Sequence, residues 1–358
     1  MNQIELILKE RIRTEGALPV SEFMALAQMH PAYGYYRNSK PLGADGDFIT
    51  APEVSQVFGE LIGLWLAVMW KKTGSPKKIN LIELGPGRGT MMADMLRAAE
   101  SVPAFFNAVS VHLVESNRQL RSSQKKALEK FDTKLSIQWY DSLDCIPPDG
   151  PTLLAANEFF DALPIDQYVL CEEGWRLRCV DLSNNGTLIF VEKKPKNYVG
   201  ALIPEDIRDN SKLGTVFEVC REAISLMKLL SKRLVSEGGA AIILDYGHNK
   251  RSAGDTLQAV KNHKYCNILE YLGECDLSSH VDFFALTEAL KSSELNIYGP
   301  VYQGTFLRHL GIIERTEQLA QLMSREQALE LRKSAHRLIS STQMGKLFKV
   351  ITLNSQTK

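Results

Sequence analysis

The sequence lacks several features that would place the protein in a specialised class. Its longest uninterrupted apolar run, Leu61–Trp70, is about half as long as a helix that crosses a bilayer. Lysine and arginine number 42 and aspartate and glutamate 42, so no surplus charge attracts nucleic acid in general. The six cysteines form no C-x-x-C pair and no zinc-ligand spacing. We therefore expect reduced thiols, no metal, no membrane insertion and no nucleic-acid partner.

The N-terminus also lacks the signs of a targeting segment. Residues 2–10 contain no basic region followed by an apolar block, which a secretory signal requires. Glu5 and Glu10 argue against a transit peptide, because such peptides are poor in acidic residues. Together with the cysteine usage, these features predict a cytoplasmic protein.

Alternating strands and helices predict an α/β fold. The length of 358 residues, 44% of them hydrophobic, allows two domains or one elaborated α/β domain. Short apolar runs between helical patterns indicate a doubly wound, mostly parallel, Rossmann-like sheet, with strands at Ile79–Leu84, Val109–Glu115, Leu135–Tyr140, Thr152–Ala156 and Ala240–Asp245. The predicted organisation is an N-terminal helical and lid segment over 1–72, a core over 73–313 with an antiparallel insertion at about 165–235, and a helical tail over 314–358.

A glycine loop follows the first of these strands, in the order Ile-Glu-Leu-Gly-Pro-Gly-Arg-Gly-Thr over residues 82–90. Glycines allow a tight turn and a close approach to a ligand. The G-x-G-x-G spacing differs from the G-x-G-x-x-G of dinucleotide enzymes.

An acidic residue before the loop suits the cationic end of a ligand, and a carboxylate ending the second strand can accept both hydroxyls of a ribose. We predict S-adenosyl-L-methionine binding through Glu83, Gly85, Pro86, Gly87, Gly89 and Glu115. The competing interpretation is a structural turn and a solvated strand end.

Two further strand ends carry polar residues. Asp141 and Ser142 end the third strand, a position that lies beside the adenine in folds that bind this cofactor; an ordinary turn explains them equally well. Asn157 follows the fourth strand and precedes two aromatics, as in the polar-x-x-aromatic loop of amino-group methyltransferases, although the central prolines are absent. We predict that Asn157 binds the cofactor at its reactive end, because ligands of open α/β sheets bind where the strands end. Nearby, Glu158 and Asp161 can hold a guanidinium by bidentate hydrogen bonds, unless they are simply solvated acids of a capped turn.

Three more segments have both a functional and a structural interpretation. Residues 46–53 read Gly-Asp-Phe-Ile-Thr-Ala-Pro-Glu, in which Thr50 and Glu53 also form a capping box. His248 and His280 each follow a candidate strand or loop and are candidate general bases, but isolated histidines are more often structural.

These motifs together resemble the MidA family, the mitochondrial complex I assembly arginine methyltransferases and their bacterial relatives. The resemblance covers residues from about 15 to 313 and rests on the segments Gly46–Gly63, Leu81–Thr90, Ala156–Ile165, Asp245–His248, Cys275–Phe283 and Gln303–Gly311. It implies a class I methyltransferase fold, S-adenosyl-L-methionine as cofactor, and a protein substrate, with symmetric dimethylation of an arginine in a respiratory complex I subunit in the mitochondrial branch. Under this interpretation Glu158 and Asp161 orient the guanidinium, and these carboxylates or His280 accept its proton.

Three other functions compete with this one. The first is a cofactor-binding assembly factor that acts mainly by binding a partner. The second is a nucleotide-dependent oxidoreductase, against which the glycine spacing and Glu83 argue. The third is an RNA methyltransferase, which the neutral charge disfavours. The sequence predicts no oligomeric state.

Overall fold

The computed structural model describes residues 2–38, 50–195 and 202–355. The chain forms two compact units, each built from three separate stretches. The core unit contains residues 49–160, 226–249 and 283–358, and the accessory unit contains residues 1–48, 161–225 and 250–282. This division differs from the predicted boundaries at 72 and 313, because segments distant in sequence pack together in each unit.

The described residues contain the following elements. The helices are α1 (Gln3–Glu15), α2 (Val20–Met29), α3 (Tyr35–Asn38), α4 (Ala51–Val54), α5 (Gln56–Lys72), α6 (Thr90–Ala99), α7 (Pro103–Phe106), α8 (Arg118–Asp132), α9 (Glu205–Asn210), α10 (Arg221–Glu237), α11 (Phe283–Glu288), α12 (Gln303–His309), α13 (Ile312–Ala320), α14 (Arg325–Ile339) and α15 (Met344–Leu347), with a 3₁₀ turn at Leu143–Cys145. The strands are β1 (Leu18–Pro19), β2 (Ile79–Leu84), β3 (Val109–Val114), β4 (Ile137–Tyr140), β5 (Thr152–Asn157), β6 (Asp166–Cys171), β7 (Gly174–Leu182), β8 (Leu188–Lys193), β9 (Val216–Val219), β10 (Gly239–His248), β11 (Gln258–Lys261), β12 (Lys264–Cys266), β13 (Asp276–Ser278), β14 (Val281–Asp282), β15 (Leu295–Tyr302) and β16 (Phe348–Ser355).

The core unit is built on a mostly parallel sheet, as predicted. Seven of its strands follow the order β15-β16-β10-β5-β2-β3-β4, and the five from β10 to β4 are parallel to one another. Every residue of β2 is buried, as expected for a strand covered on both faces. Helices α5 and α6 pack closely because a Cβ at Gly63 would lie only 2.6 Å from the backbone oxygen of Met95.

The C-terminal segment differs from the predicted helical tail. After α13, α14 and α15, strand β16 inserts antiparallel between β10 and β15. The partner of β16 on its other side, β15, is followed directly by α12. Lys349 on β16 is buried and donates hydrogen bonds to the backbone oxygens of Gly247, Lys346 and Leu347. The tail therefore completes the sheet and ties down the end of β10.

The accessory unit contains the predicted antiparallel insertion. Its larger sheet has the order β1-β7-β6-β9, with β8 paired to β7, and a smaller one has the order β12-β11-β13. The N-terminal helix α1 buries Ile4, Leu8 and Ile12, which recur at helical spacing. The side chain of Asn2 caps this helix by accepting a hydrogen bond from the backbone of Glu5.

Candidate functional site

Four parallel strands of the core unit bring the predicted site residues to one edge of the sheet. Leu84 at the end of β2 is aligned with Val114 of β3 and with Ala156 of β5, and Val114 is aligned with Tyr140 of β4. Ligands of open α/β sheets bind at this carboxyl edge. The glycine loop, Glu115 and the 141–142 turn directly follow β2, β3 and β4, and Asn157 is the last residue of β5.

The glycine loop has a backbone that only glycine adopts readily. The φ angles of Gly85, Gly87 and Gly89 are 62°, 52° and 86°, all in the left-handed region. A Cβ at Gly85 would lie 2.7 Å from Cδ2 of Phe159, so the phenyl ring lies directly against the loop. A Cβ at Gly89 would lie 3.1 Å from Cα of Gln124, so the third glycine allows α8 to approach. Pro86 closes the turn through its carbonyl, which accepts from the N–H of Gly89 at 2.7 Å.

Glu83 is buried at the end of β2, beside the N-terminal turn of α6. Its carboxyl group accepts a hydrogen bond from the backbone N–H of Met92, while Oε2 has no hydrogen-bond partner among the described residues. Burial, reinforced by the nearby Asp94, raises the pKa of Glu83 from 4.5 to about 8. A buried carboxyl oxygen without a partner is costly unless a ligand or ordered water satisfies it.

Glu115 and a glutamine that sequence reasoning missed connect three strand ends. Glu115 is buried after β3, where Oε1 accepts from the N–H of Asn117 at 2.7 Å. Gln124 of α8 donates from Nε2 to Oε2 of Glu115 at 3.2 Å and to the oxygen of Gly87 at 2.8 Å. Its Oε1 accepts from Nε1 of Trp139 on β4 at 2.8 Å. No sequence signal indicates this role for Gln124, because polar residues are common in an amphipathic helix such as α8.

The turn after β4 is more exposed than the other strand ends. The Asp141 carboxylate forms an ion pair of 2.6 Å with Nη2 of Arg121, whose Nε donates to the backbone oxygen of Glu115. The hydroxyl of Ser142 lies 3.2 Å from Sγ of Cys145. Arg121 thus links the ends of β3 and β4.

The loop after β5 is held by a buried carboxylate. Asp245 on β10 is fully buried, and its Oδ2 accepts from the N–H groups of Phe159 and Phe160 at 3.1 and 2.9 Å. Glu158 has a φ of 49°, which is unusual for a residue with a side chain. The Oδ1 atom of Asn157 is buried and has no hydrogen-bond partner among the residues that the structure describes.

The carboxylate of Glu158 binds the start of α4. Its Oε1 atom accepts from the backbone N–H of Ala51 at 2.8 Å and from Nδ2 of Asn157 at 3.2 Å. An acidic side chain at a helix N-terminus satisfies an N–H group that has no partner within the helix. Glu158 is therefore in contact with both α4 and the end of β5.

The segment that contains α4 contacts the glycine loop rather than forming a capping box. The Thr50 side chain makes no capping hydrogen bond. Instead, Oε1 of Glu53 accepts from the hydroxyl of Thr90 at 2.6 Å, and Oε2 lies 3.7 Å from Nη1 of Arg88. The rest of the motif, residues 46–49, lies outside the described residues.

Asp161 and His280 belong to the accessory unit. Asp161 is buried and, after burial itself and Asp276, helps to raise the pKa of Tyr36 well above its usual value. The hydroxyl of Tyr36 donates to Asp276 at 2.7 Å. The backbone N–H of His280 donates to the hydroxyl of Thr256 at 2.9 Å. The predicted pairing of Asp161 with Glu158 of the core unit stays a prediction.

The described ranges 2–38, 50–195 and 202–355 contain neither a metal cluster nor a membrane-spanning helix. No group of three or more His, Cys, Asp or Glu side chains there could hold a metal ion. No helix in those ranges is long and apolar enough to cross a membrane. His248 ends β10 in the core unit and belongs to no such group.

The site residues fit S-adenosyl-L-methionine. The left-handed glycine loop lets the backbone approach a ligand, and the Glu115 carboxylate at the next strand end can accept hydroxyl hydrogen bonds. The buried Oε2 of Glu83, which has no hydrogen-bond partner among the described residues, is an acceptor that a ligand N–H can satisfy. Residues 61–301 match the model of a family described as S-adenosyl-L-methionine-dependent methyltransferases. The chain belongs to this family.

Full-length relatives of this methyltransferase carry more specific names. It is 37% identical to the protein arginine methyltransferase NDUFAF7 homolog, mitochondrial, of Caenorhabditis elegans, over 99% of this chain and 87% of the relative. It is 35% identical to the Danio rerio protein arginine methyltransferase NDUFAF7, mitochondrial, over 97% and 85% of the two chains. The human protein of that name is 34% identical over 97% and 82%. The family resemblance that the sequence motifs predicted is confirmed.

A solved structure supports the fold of the methyltransferase. A protein from Burkholderia thailandensis, crystallised with S-adenosyl-homocysteine, superposes with a TM-score of 0.84 and covers 98% of this chain and 91% of its own. At 24% sequence identity this likeness concerns the fold alone. The predicted class I fold is thereby confirmed, and the family match confirms the predicted cofactor.

The predicted cellular location is wrong. The relatives described above are all named as mitochondrial proteins, which contradicts the cytoplasmic location predicted from the sequence. That prediction depended on the absence of a recognisable N-terminal signal and on cysteine usage. The N-terminal composition and the cysteines are less direct indications of the cellular compartment than the names of these relatives.

Proposed function

We propose that this methyltransferase transfers methyl groups from S-adenosyl-L-methionine to an arginine side chain of a protein. The names of its full-length relatives, which describe them as protein arginine methyltransferases, support this substrate class. The structural observation that carries the proposal is the buried acceptor Oδ1 of Asn157, next to the Glu158 carboxylate at the end of β5. A neutral acceptor beside a carboxylate suits a group that has several N–H donors and a positive charge, as a guanidinium has.

Each side chain has a distinct task in this proposal. The bound cofactor supplies a methyl group on a positively charged sulfur. The glycine loop and Glu83 hold its methionine end, Glu115 its ribose, and Asp141 with Ser142 its adenine. Asn157 binds the cofactor at its reactive end and, with Glu158, orients the acceptor nitrogen by hydrogen bonds, so the protein acts mainly by positioning and electrostatics. We also propose that Asp161 and His280 serve the acceptor, as orienting carboxylate and as proton acceptor.

The finer identity of the acceptor follows from the family resemblance. We propose a subunit of respiratory complex I as the protein substrate and symmetric dimethylarginine as the product, as in the mitochondrial branch of the MidA family. The guanidinium is protonated at neutral pH, so each transfer requires that one proton leave the reacting nitrogen. A carboxylate of the site, or His280, accepts that proton.

The test is transfer of labelled methyl groups into an extract of cells that lack this protein. The wild type is compared with Gly87→Val, because a β-branched side chain at a φ of 52° is incompatible with the loop. Gly186→Val is the control, since Gly186 also has a positive φ, of 77°, but no atom lies within 4 Å of its Cβ position.

We expect one labelled protein that yields dimethylarginine on hydrolysis, present with the wild type and Gly186→Val and absent with Gly87→Val. Label in another amino acid or in RNA would overturn the arginine proposal. Absence of label, with cofactor binding shown separately, would favour the assembly factor that acts by binding.

A further inference from the structure

Gln124 contacts both parts of the predicted cofactor site and is itself fully buried. One amide group reaches the backbone oxygen of Gly87 in the glycine loop, Oε2 of Glu115 after β3, and Nε1 of Trp139 on β4. Both hydrogens of its Nε2 are directed at acceptors, and its Oε1 has a donor. A buried amide is stable only with such partners, so the orientation of this side chain is determined.

The backbone around Gln124 is fitted to this contact. The Cα of Gln124 lies 3.1 Å from the position that a Cβ of Gly89 would occupy, so α8 reaches the loop because residue 89 is glycine. The two acceptors of Nε2 lie in different segments, one in the loop after β2 and one after β3. Gln124 is therefore the shared hydrogen-bond donor that links the Gly87 oxygen to the Glu115 carboxylate.

We propose that Gln124 is a positioning residue that holds the glycine loop and the ribose carboxylate at the separation that one cofactor molecule spans. The inference rests on the proposed role of Glu115 in binding ribose. Gln124 touches neither reacting group; it acts through Gly87 at the methionine end and through Glu115 at the ribose end. It therefore determines affinity for a ligand that occupies both ends more strongly than for one that occupies the ribose end alone.

The decisive variant is Gln124→Glu, which preserves the size of the side chain and removes both donors. The new carboxylate faces the Glu115 carboxylate and the Gly87 oxygen, and both contacts become repulsive. Gln119→Glu is the matched control, because Gln119 is an exposed residue of the same helix and the change of charge is identical. Melting temperatures are measured for every variant, so that binding is compared only where each one is folded.

The measurement is the dissociation constant of labelled S-adenosyl-L-methionine and of 5′-methylthioadenosine, which keeps the ribose and adenine but lacks the amino acid. For Gln124→Glu we expect a loss of about 100-fold for the full cofactor and about tenfold for the nucleoside, with Gln119→Glu unchanged. Equal losses for the two ligands would overturn the inference, because they would mean that only the ribose end is affected.

A second pair of variants separates this inference from the role of Glu115. Glu115→Gln alone should weaken cofactor binding. The double variant Glu115→Gln with Gln124→Glu should bind the nucleoside no worse than that single variant, because the exchanged amide restores the hydrogen bond between residues 115 and 124, but it should still bind the full cofactor more weakly, because the Gly87 oxygen has lost its donor. If Glu115→Gln leaves binding unchanged, the proposed ribose contact fails. If Glu115→Gln weakens binding and Gln124→Glu does not, the inference on Gln124 alone fails.

Discussion

The loops at the carboxyl edge of the core sheet fall into two halves, which hold their left-handed backbone angles in different ways. The proposed cofactor half, which comprises the glycine loop, Glu115 and Asp141, adopts its left-handed backbone at glycines, where such angles cost little. The proposed acceptor half, residues 157–160, has its left-handed angle at Glu158, a residue with a side chain. There the buried carboxylate of Asp245 holds the next two N–H groups.

The difference separates local from tertiary control. At its glycines, the loop after β2 can adopt left-handed backbone angles without support from residues that are distant in sequence. The acceptor loop reaches its conformation only when β10 lies next to β5 and presents Asp245, because nothing in residues 157–160 favours the angle at Glu158. The acceptor half should therefore be sensitive to changes at a distant position in the sequence.

Replacing Asp245 should separate the two halves most clearly. In Asp245→Ala the N–H groups of Phe159, Phe160 and Tyr246 lose their carboxylate acceptor, at about 1–3 kcal/mol for each unsatisfied group. We expect kcat to fall by at least about 100-fold while the dissociation constant of the cofactor changes by no more than about threefold. Steady-state kinetics and equilibrium dialysis measure the two quantities.

Two further variants calibrate that result. Asp245→Asn keeps the shape and one acceptor oxygen, so its kcat should lie between those of the wild type and Asp245→Ala. Asp132→Ala, at an exposed position of α8, should change neither quantity. An equal loss of cofactor affinity and kcat in Asp245→Ala would show that the two halves are not independent.

We expect a smaller effect on cofactor affinity from Gly85→Ala, which tests the contact between the glycine loop and Phe159. The added methyl group would lie 2.7 Å from the Phe159 ring, so the ring or the loop must move. We expect cofactor affinity to fall about tenfold, since the left-handed angle adds strain of about 1 kcal/mol to the steric conflict. Gly186→Ala is the control, because Gly186 has a similar angle of 77° but lies in the accessory unit between β7 and β8, and it should leave cofactor affinity unchanged. Similar losses in both variants would mean that the effect does not arise at the glycine loop.

The smallest effect concerns stability and depends on pH. Burial raises the pKa of Glu83 from 4.5 to about 8, so the folded state favours the protonated acid. Its contribution to stability is complete below about pH 4.5 and is lost as pH rises through about 8. Glu83→Gln should thus melt near the wild-type temperature at pH 5 and several degrees above it at pH 9, on the order of 5 °C.

The control for this prediction is Glu129→Gln at an exposed position of α8. Its melting temperature should follow that of the wild type across the same pH range. Scanning calorimetry without cofactor measures both variants. A difference for Glu83→Gln that is constant with pH would contradict the assignment of the effect to ionisation of Glu83.

Local patterns in the sequence predicted much of the core. The buried strand β2 and the glycines that follow it are adjacent in sequence, and the acid after β3 ends the next strand, so this pattern alone indicates the cofactor. The strand β16 was missed because residues 314–358 were interpreted as one helical tail, although Val350–Leu353 are buried strand residues. The boundary between α4 and α5 at Ser55 is likewise not marked in the apolar pattern of the sequence.

The sequence by itself determined the family, the cofactor and the left-handed loop, because glycine spacing and apolar periodicity act over a few residues. Only the tertiary structure decided how Gln124 joins Gly87 to Glu115, and that Asp245 holds the loop after β5. These contacts join residues between 9 and 86 positions apart. Buried polar groups must find partners wherever the fold brings them, and that requirement leaves no local pattern along the chain.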